Sequence, residues 1–213
     1  MQSKRPLLLL LVVLGLAAGW FLFRSSRADY VNFPPQATGP WIAFGDSLTE
    51  GYGASEGASY PAVLSQRLGL NIANFGTSGH TTADGLKRVE EVARLNPRVV
   101  LLCLGGNDTL EQAPRQQTFD NLGAIIDRLQ RQGTFVVLIG VRSASLTDRN
   151  EKYFKSLARE KRALYVPNIL KGIFPKPVYM HDAIHPNDEG YRMIADRLEK
   201  ALRPLLPQLR PPS

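Results

Sequence analysis

Three histidines occur in the sequence, His80, His181 and His185, and Asp182 stands three residues before the last of them. In a turn, that spacing lets a carboxylate accept a bond from His185 Nδ1 while Nε2 faces outward. Pro186 discourages a helix running through His185. A base held this way could serve a serine. A serine hydroxyl is a poor nucleophile until a base takes its proton, and the base works best when a third group fixes its tautomer. The candidate is Ser47, in Gly45-Asp46-Ser47-Leu48. Glycines near Ser47 and at Gly79 leave backbone N–H groups uncovered, as an oxyanion hole requires. Asn107, after Gly105-Gly106, could add a side-chain amide donor. Together these residues could carry out acyl transfer, with Ser47 as nucleophile and His185 as base oriented by Asp182.

Each residue also has a plainer reading. A Gly-Asp-Ser turn after a strand is often only a turn, and it is Asp182 and His185 downstream that point to catalysis. Asp46 and Asp108 read as structural, bonding loop backbone. His80 either lines a substrate mouth or is a solvated loop histidine. Glu50 could approach the site but reads as a surface residue. His181 and His185 have the spacing of two zinc ligands on a helix. Pro186 and the lack of an intervening His-Glu pair argue against a metal. Cys103 lies inside an apolar run and reads as a small core residue. As the single cysteine, it excludes an internal disulfide framework and any cysteine-based metal cluster.

Positioning these residues takes a scaffold. Apolar runs at 41–44, 71–75, 99–104, 135–141 and 163–166 suit strands buried on both faces, as in a parallel sheet. Helical periodicity falls between and after them. Leu86, Val89 and Ala93 share a face of 82–95. Phe119, Leu122, Ile126 and Leu129 share one of 115–131, which Gly133 closes. Tyr191, Ile194, Leu198 and Leu202 share one of 188–203. Alternating strand and helix predicts a three-layer α/β/α sandwich around a five-stranded parallel sheet. In such sheets ligands lie beyond the carboxyl ends of the strands. The polar clusters at Gly45-Asp46-Ser47, Gly76-Thr77-Ser78-Gly79 and Gly105-Gly106-Asn107-Asp108 fall there.

Gly45-Asp46-Ser47-Leu48, Gly79 within 74–79, Gly105-Gly106-Asn107-Asp108 and Asp182-Ala183-Ile184-His185-Pro186 resemble the four signature blocks of the GDSL, or SGNH, hydrolases. They occur in the family's order and span residues 41–203. The likeness is greatest to the bacterial thioesterase I, arylesterase and lysophospholipase branch. It implies a flavodoxin-like sheet, a serine esterase, and a triad of Ser47, His185 and Asp182. The oxyanion hole it implies comes from the Ser47 and Gly79 N–H groups and the Asn107 amide. No metal or organic cofactor is implied. The substrate would be a small ester or lipid: an acyl or aryl ester, a thioester or a lysophospholipid. An O-acetylesterase acting on cell-wall or exported polysaccharide is the alternative. A non-catalytic binding module is disfavoured because no block has lost its catalytic residue. Gly-x-Ser-x-Gly is absent around Ser47, so the α/β-hydrolase elbow is not the match. The loops at 109–117 and 142–152, which would shape an acyl pocket, are polar and cannot be read.

The chain has 213 residues and a formal charge of +7. With Lys4, Arg5, Arg24, Arg27 and Asp29 set aside, 22 basic and 18 acidic side chains remain, a net +4. They are interspersed, without the concentrated basic stripe of a nucleic-acid surface. No obligate protein partner is evident. Residues 6–23 are uncharged and mostly aliphatic, bracketed by Lys4-Arg5 and Arg24. As a helix they would span roughly 27 Å, close to a bilayer's hydrocarbon core. The aromatic end at Trp20-Phe21-Leu22-Phe23 suits a membrane interface. A signal peptide cleaved after the small residues at 16–19 is the alternative. The reading is a single-pass bacterial inner-membrane protein with its catalytic domain in the periplasm, or a periplasmic protein if cleaved. The expected organisation is an anchor or signal at 1–28, an extended linker at 29–40, the domain at 41–207 and a tail at 208–213.

Overall fold

The computed structural model describes residues 29–142 and 150–211. The predicted anchor, and most of the 142–152 loop, lie outside the described residues. Among the described residues no helix is long and apolar enough to cross a membrane.

All five predicted strands form: β1 (Gly39–Gly45), β2 (Ile72–Gly76), β3 (Pro97–Cys103), β4 (Phe135–Ile139) and β5 (Leu164–Val166). They pair in parallel in the order β2-β1-β3-β4-β5. Burial explains β1, β3 and β4, whose apolar runs are covered on both faces. β2 departs from the expectation. As an edge strand it is largely half-exposed, with only Ile72 buried. Side chains alternate across β1: Trp41 and Ala43 enter one core cluster, Ile42 and Phe44 the other.

Two helical layers cover the sheet. On one face lie α2 (Tyr60–Leu68), α7 (Asp188–Leu202) and α8 (Leu206–Leu209), which bury Leu64, Ile194, Leu198 and Leu209 against the sheet. On the other lie α3 (Thr82–Ala93), α5 (Arg115–Gln130) and α6 (Glu151–Glu160), which bury Val89, Val92, Leu122, Ile126 and Phe154. Two short helices, α1 (Ser47–Glu50) and α4 (Gly106–Leu110), follow β1 and β3 directly. Helices α3, α5 and α7 match the expected spans within two residues at each end. The other helices were not read from the sequence. α6, for example, has only Phe154, Leu157 and Ala158 buried in a charged stretch.

The boundaries move outward at both ends. The segment read as a linker is bound to the domain: Tyr30 and Phe33 pack on Phe135, and Ala37 is buried. Asn32 Nδ2 donates to the carbonyls of Gln130 and Thr134. The expected tail is likewise held as far as Leu209, which is fully buried. Arg98 joins the two ends. This buried guanidinium donates to the carbonyls of Leu209 (2.6 Å), Ala37 (3.1 Å) and Gln208 (3.3 Å).

Candidate active site

The chain runs from β1 outward to β2, then crosses back to β3 on the other side of β1. This reversal opens a crevice at the carboxyl ends of β1 and β3. Gly45 pairs with both Gly76 and Cys103, so β1, β2 and β3 end level and the loops after them converge. Close packing requires glycine here. A Cβ on Gly76 would stand 2.0 Å from the Glu50 backbone nitrogen, and one on Gly45 would meet the Cys103 carbonyl at 2.4 Å.

Ser47 opens α1. Asp46 caps this turn, its Oδ1 accepting from the Leu48 N–H at 3.0 Å. Ser47 itself is 7% exposed. As the first helical residue, its N–H has no acceptor within the helix. Burial pushes the Asp46 carboxyl up to about 7, against the lowering effect of the Leu48 N–H.

From the far end of the chain, His185 reaches Ser47. Its Nε2 lies 3.0 Å from Ser47 Oγ, and its Nδ1 lies 2.8 Å from Asp182 Oδ2. The other Asp182 oxygen accepts from the Ile184 and His185 N–H groups, both at 2.8 Å. The carboxylate therefore builds its own loop and orients the ring together. Partial desolvation raises its pKa, but the two N–H bonds and the His185 ring outweigh that and hold it at about 2. Both His185 nitrogens are thus engaged, and no helix spans 181–185, so the zinc-pair geometry does not form. His181 lies beside Tyr52, their ring centroids 6.0 Å apart.

Gly79 takes φ +79°, with open space on its Cβ side. Its loop is pinned on either flank. Glu50 accepts from the Ser78 N–H at 2.7 Å and from the Ser78 hydroxyl. Asn107 Nδ2 donates to the His80 carbonyl at 2.9 Å. That bond uses one amide hydrogen of Asn107 and leaves the second for another acceptor. Arg88 fixes the His80 ring by donating toward Nδ1 at 3.1 Å, with a further bond to Thr77 Oγ1 at 2.7 Å. Asp108, buried below, accepts from the Thr82 N–H at 2.9 Å and from its hydroxyl. The structural reading of Asp46 and Asp108 fits these bonds, and Cys103 is a buried core thiol.

Of two further neighbours, sequence reasoning weighed one, Glu50, and missed the other, Tyr52. Glu50 was set down as a surface residue, yet it clasps the Gly79 loop. Tyr52 covers His185 with ring centroids 4.5 Å apart. Its own carbonyl is held by the Tyr191 hydroxyl at 2.8 Å. The only available signal was proximity to Ser47 in the chain.

A cleft open to solvent lies over Ser47, Asn107 and His185. Its walls are Leu48, Leu110, Val141, Leu170, Phe174 and Ile184, with Arg142 also at the cleft. Leu110 and Ile184 are 50% and 37% exposed, so part of the apolar wall faces water. Both loops that could not be read contribute to it, through Leu110 and Arg142. Among the described residues no cluster of three or more metal-ligating side chains occurs.

Residues 43–193 match the GDSL-like lipase/acylhydrolase family. The chain is 32% identical over 185 residues to thioesterase 1/protease 1/lysophospholipase L1 of Escherichia coli (strain K12), covering 83% of this chain and 89% of that one. It is 28% identical over 179 residues to an arylesterase of Vibrio mimicus, covering 78% and 90%. Among solved structures, AlinE4, an SGNH-hydrolase family esterase, aligns with a TM-score of 0.61 at 33% identity. That alignment covers 80% of this chain and 96% of that one.

Proposed function

From the premise that the chain belongs to the GDSL-like lipase/acylhydrolase family, we propose that it cleaves esters and thioesters of medium-length acyl chains through Ser47, His185 and Asp182. The observation that carries this reading is the hydrogen-bonded relay from Asp182 through His185 to Ser47 Oγ, at 2.8 and 3.0 Å, at the floor of an apolar cleft.

His185 Nε2 takes the Ser47 proton as Oγ attacks the acyl carbon. Asp182 keeps the ring in the tautomer with Nδ1 protonated and stabilises the imidazolium that forms. Negative charge builds on the former carbonyl oxygen. The Ser47 and Gly79 N–H groups and the second Asn107 amide hydrogen receive it. His185 then gives its proton to the departing alcohol or thiol, leaving an acyl group on Ser47. Water attacks that ester, His185 takes the water's proton, and the acid leaves as Ser47 recovers its hydrogen. No metal or cofactor enters these steps.

The cleft supports the substrate class. Six aliphatic or aromatic side chains line it, as they would a site that takes an apolar group. A polysaccharide O-acetylesterase would need only a shallow acetyl pocket and polar sugar contacts. The E. coli relative's name includes thioesterase and lysophospholipase, which suits a wall built for alkyl chains. We read residues 6–23 as the segment that holds the enzyme in the inner membrane with its domain on the periplasmic side, on the strength of their uncharged run.

Hydrolysis of p-nitrophenyl esters of increasing chain length, beside an acyl thioester, a lysophospholipid and an acetylated sugar, tests this. We expect kcat/KM to rise from acetate toward medium chains and Ser47→Ala to remove nearly all turnover in a folded protein. Fastest turnover on the acetylated sugar would refute the substrate class. Wild-type turnover by Ser47→Ala would refute the mechanism.

A further inference from the structure

Lys152, Lys155 and Arg159 are exposed on α6. Steps of three and four residues set them in one line along the helix, and Phe154, Leu157 and Ala158 bury the opposite side. With Tyr30 and Tyr165 they border one open concavity. Among the described residues, none of the three cations forms an ion pair. The surrounding charges are committed elsewhere: Lys161 to Asp127 and Glu160, Arg162 to Asp29. Glu160 is paired with Lys161; Glu151, one turn before Lys155 at the start of the helix, is the one acid on this side of α6, and the stripe with it remains net positive.

The chain also enters the domain beside this helix. Arg162, just past the end of α6, donates through Nε to the Asp29 carbonyl at 2.8 Å, and its own carbonyl accepts from the Val31 N–H at 2.9 Å. Only residues 24–28 separate Asp29 from the uncharged run 6–23. Five residues reach at most roughly 18 Å. A bilayer holding residues 6–23 would therefore lie within reach of this face, and Arg24 and Arg27 would add to its charge.

We propose that the Lys152, Lys155 and Arg159 stripe docks on the anionic phospholipid surface of the membrane that holds residues 6–23. This rests on the anchor reading above. Each basic residue near an anionic leaflet strengthens attachment by roughly fivefold, so three give on the order of 10²-fold. α6 follows the carboxyl end of β4 and leads to the start of β5. It therefore runs from the cleft end of the sheet back toward the chain's entry. Lying on this helix sets the strands along the membrane plane, so the cleft, at the carboxyl ends of the strands, opens sideways along the surface.

The test uses the full chain reconstituted in vesicles of phosphatidylglycerol and phosphatidylcholine, or of phosphatidylcholine alone. Acetylation of Lys152 and Lys155 by an amine reagent is followed by mass spectrometry, with Lys87, 76% exposed on α3, as the internal reference. We expect both lysines to be protected at least fivefold, relative to Lys87, in the anionic vesicles, and the protection to vanish at about 0.5 M salt. In a second arm, residues 29–213 carrying Lys152→Gln, Lys155→Gln and Arg159→Gln are sedimented with the same vesicles. We expect binding about 10²-fold weaker than for the unsubstituted domain, with unchanged hydrolysis of a water-soluble ester as proof of folding. Equal labelling in both vesicle types overturns the proposal, as does vesicle binding that the triple substitution leaves intact. Amino-terminal sequencing tests the anchor separately, since a terminus near Trp20 would mean cleavage, whereas the sedimentation arm needs no anchor.

Discussion

Asn107→Ala isolates the side-chain contribution to oxyanion stabilisation. Asn107 sits in the first turn of α4, with its amide between two sites. One hydrogen is spent on the His80 carbonyl at 2.9 Å, which locks the amide plane; in the proposed mechanism the other receives the developing oxyanion. A donor fixed in advance needs no reorganisation as charge forms, so it stabilises the transition state more than the substrate. Its removal should lower kcat by roughly 10²–10³-fold, about 2.7–4 kcal/mol, with a smaller change in KM. Loss of the His80 bond should add a stability cost of about 1 kcal/mol. Asn107→Asp keeps the shape but replaces the donor with a negative charge facing the His80 carbonyl, so it should be at least as slow. The assay is steady-state hydrolysis of p-nitrophenyl butyrate, with kcat and KM separated and thermal unfolding measured on the same preparations. A stable Asn107→Ala enzyme with unchanged kcat would refute the reasoning. A variant that lost activity only in step with its unfolded fraction would reduce Asn107 to a loop tie.

Asp182→Asn should cut kcat on the order of 10³–10⁴-fold, because an amide no longer fixes the His185 tautomer; retention of more than a tenth of the turnover would remove Asp182 from the relay. Glu50→Ala should lower kcat roughly 10-fold with little change in KM, since the charge-assisted bonds to Ser78 hold the Gly79 loop. Unchanged kcat there would show that the loop holds its shape without the clasp. The Asp46 carboxyl titrates near 7 when folded, against 3.8 ordinarily. The native state therefore keeps a proton that the unfolded chain gives up, and stability from this group falls as pH rises from about 4 to about 7, by roughly 4 kcal/mol in all. Asp46→Asn removes that slope, so its unfolding temperature should gain on wild type between pH 4.5 and pH 8, and equal differences at the two pH values would contradict the assignment. Asp182 does not disturb this window, because a pKa lowered to about 2 gives stability already complete above 3.8 and lost only as pH falls.

The fold was legible where burial decides it. The runs at 41–44 in β1, 99–103 in β3 and 135–139 in β4 are covered on both faces and apolar at every step, and that pattern belongs to parallel sheets. α3, α5 and α7 are long enough for the 3.6-residue period to repeat. The elements that were missed are short or mostly solvated: α1 and α4 are single turns whose ends are fixed by Asp46 and by the glycine at Gly105, not by periodicity. The ends were misjudged for a different reason. The prolines at 34, 35 and 40 rightly exclude a helix, but exclusion of a helix says nothing about packing. Ala37 and Phe33 are held by Gly133 and Phe135, almost a hundred positions away in the chain.

The site divides along the same line. His185 and Asp182 could be named because only three histidines compete for the role of base and one follows an acid at a turn's spacing; Ser47, Gly79 and Asn107 could be named because each stands in a glycine-bearing block after an apolar run, in the order of the family's signature. The groups that hold them were not nameable, because they act by position alone. Glu50 is one of 19 acids, and nothing in its type distinguishes a clasp from a solvated carboxylate. What selects it is the level ending of β1 and β2. That registry places the α1 turn against Gly76 with no room for a side chain, and so carries Glu50 to Ser78. Asn74 completes the same joint, its amide donating to the Thr49 and Glu50 carbonyls at 2.9 and 3.2 Å and its oxygen accepting from the Gly76 N–H. The Gly79 N–H is therefore set by two loops at once, one reached through Glu50 and one through Asn107. Preorganisation of this kind is a property of strand register, and a register is not written at any one position of a sequence.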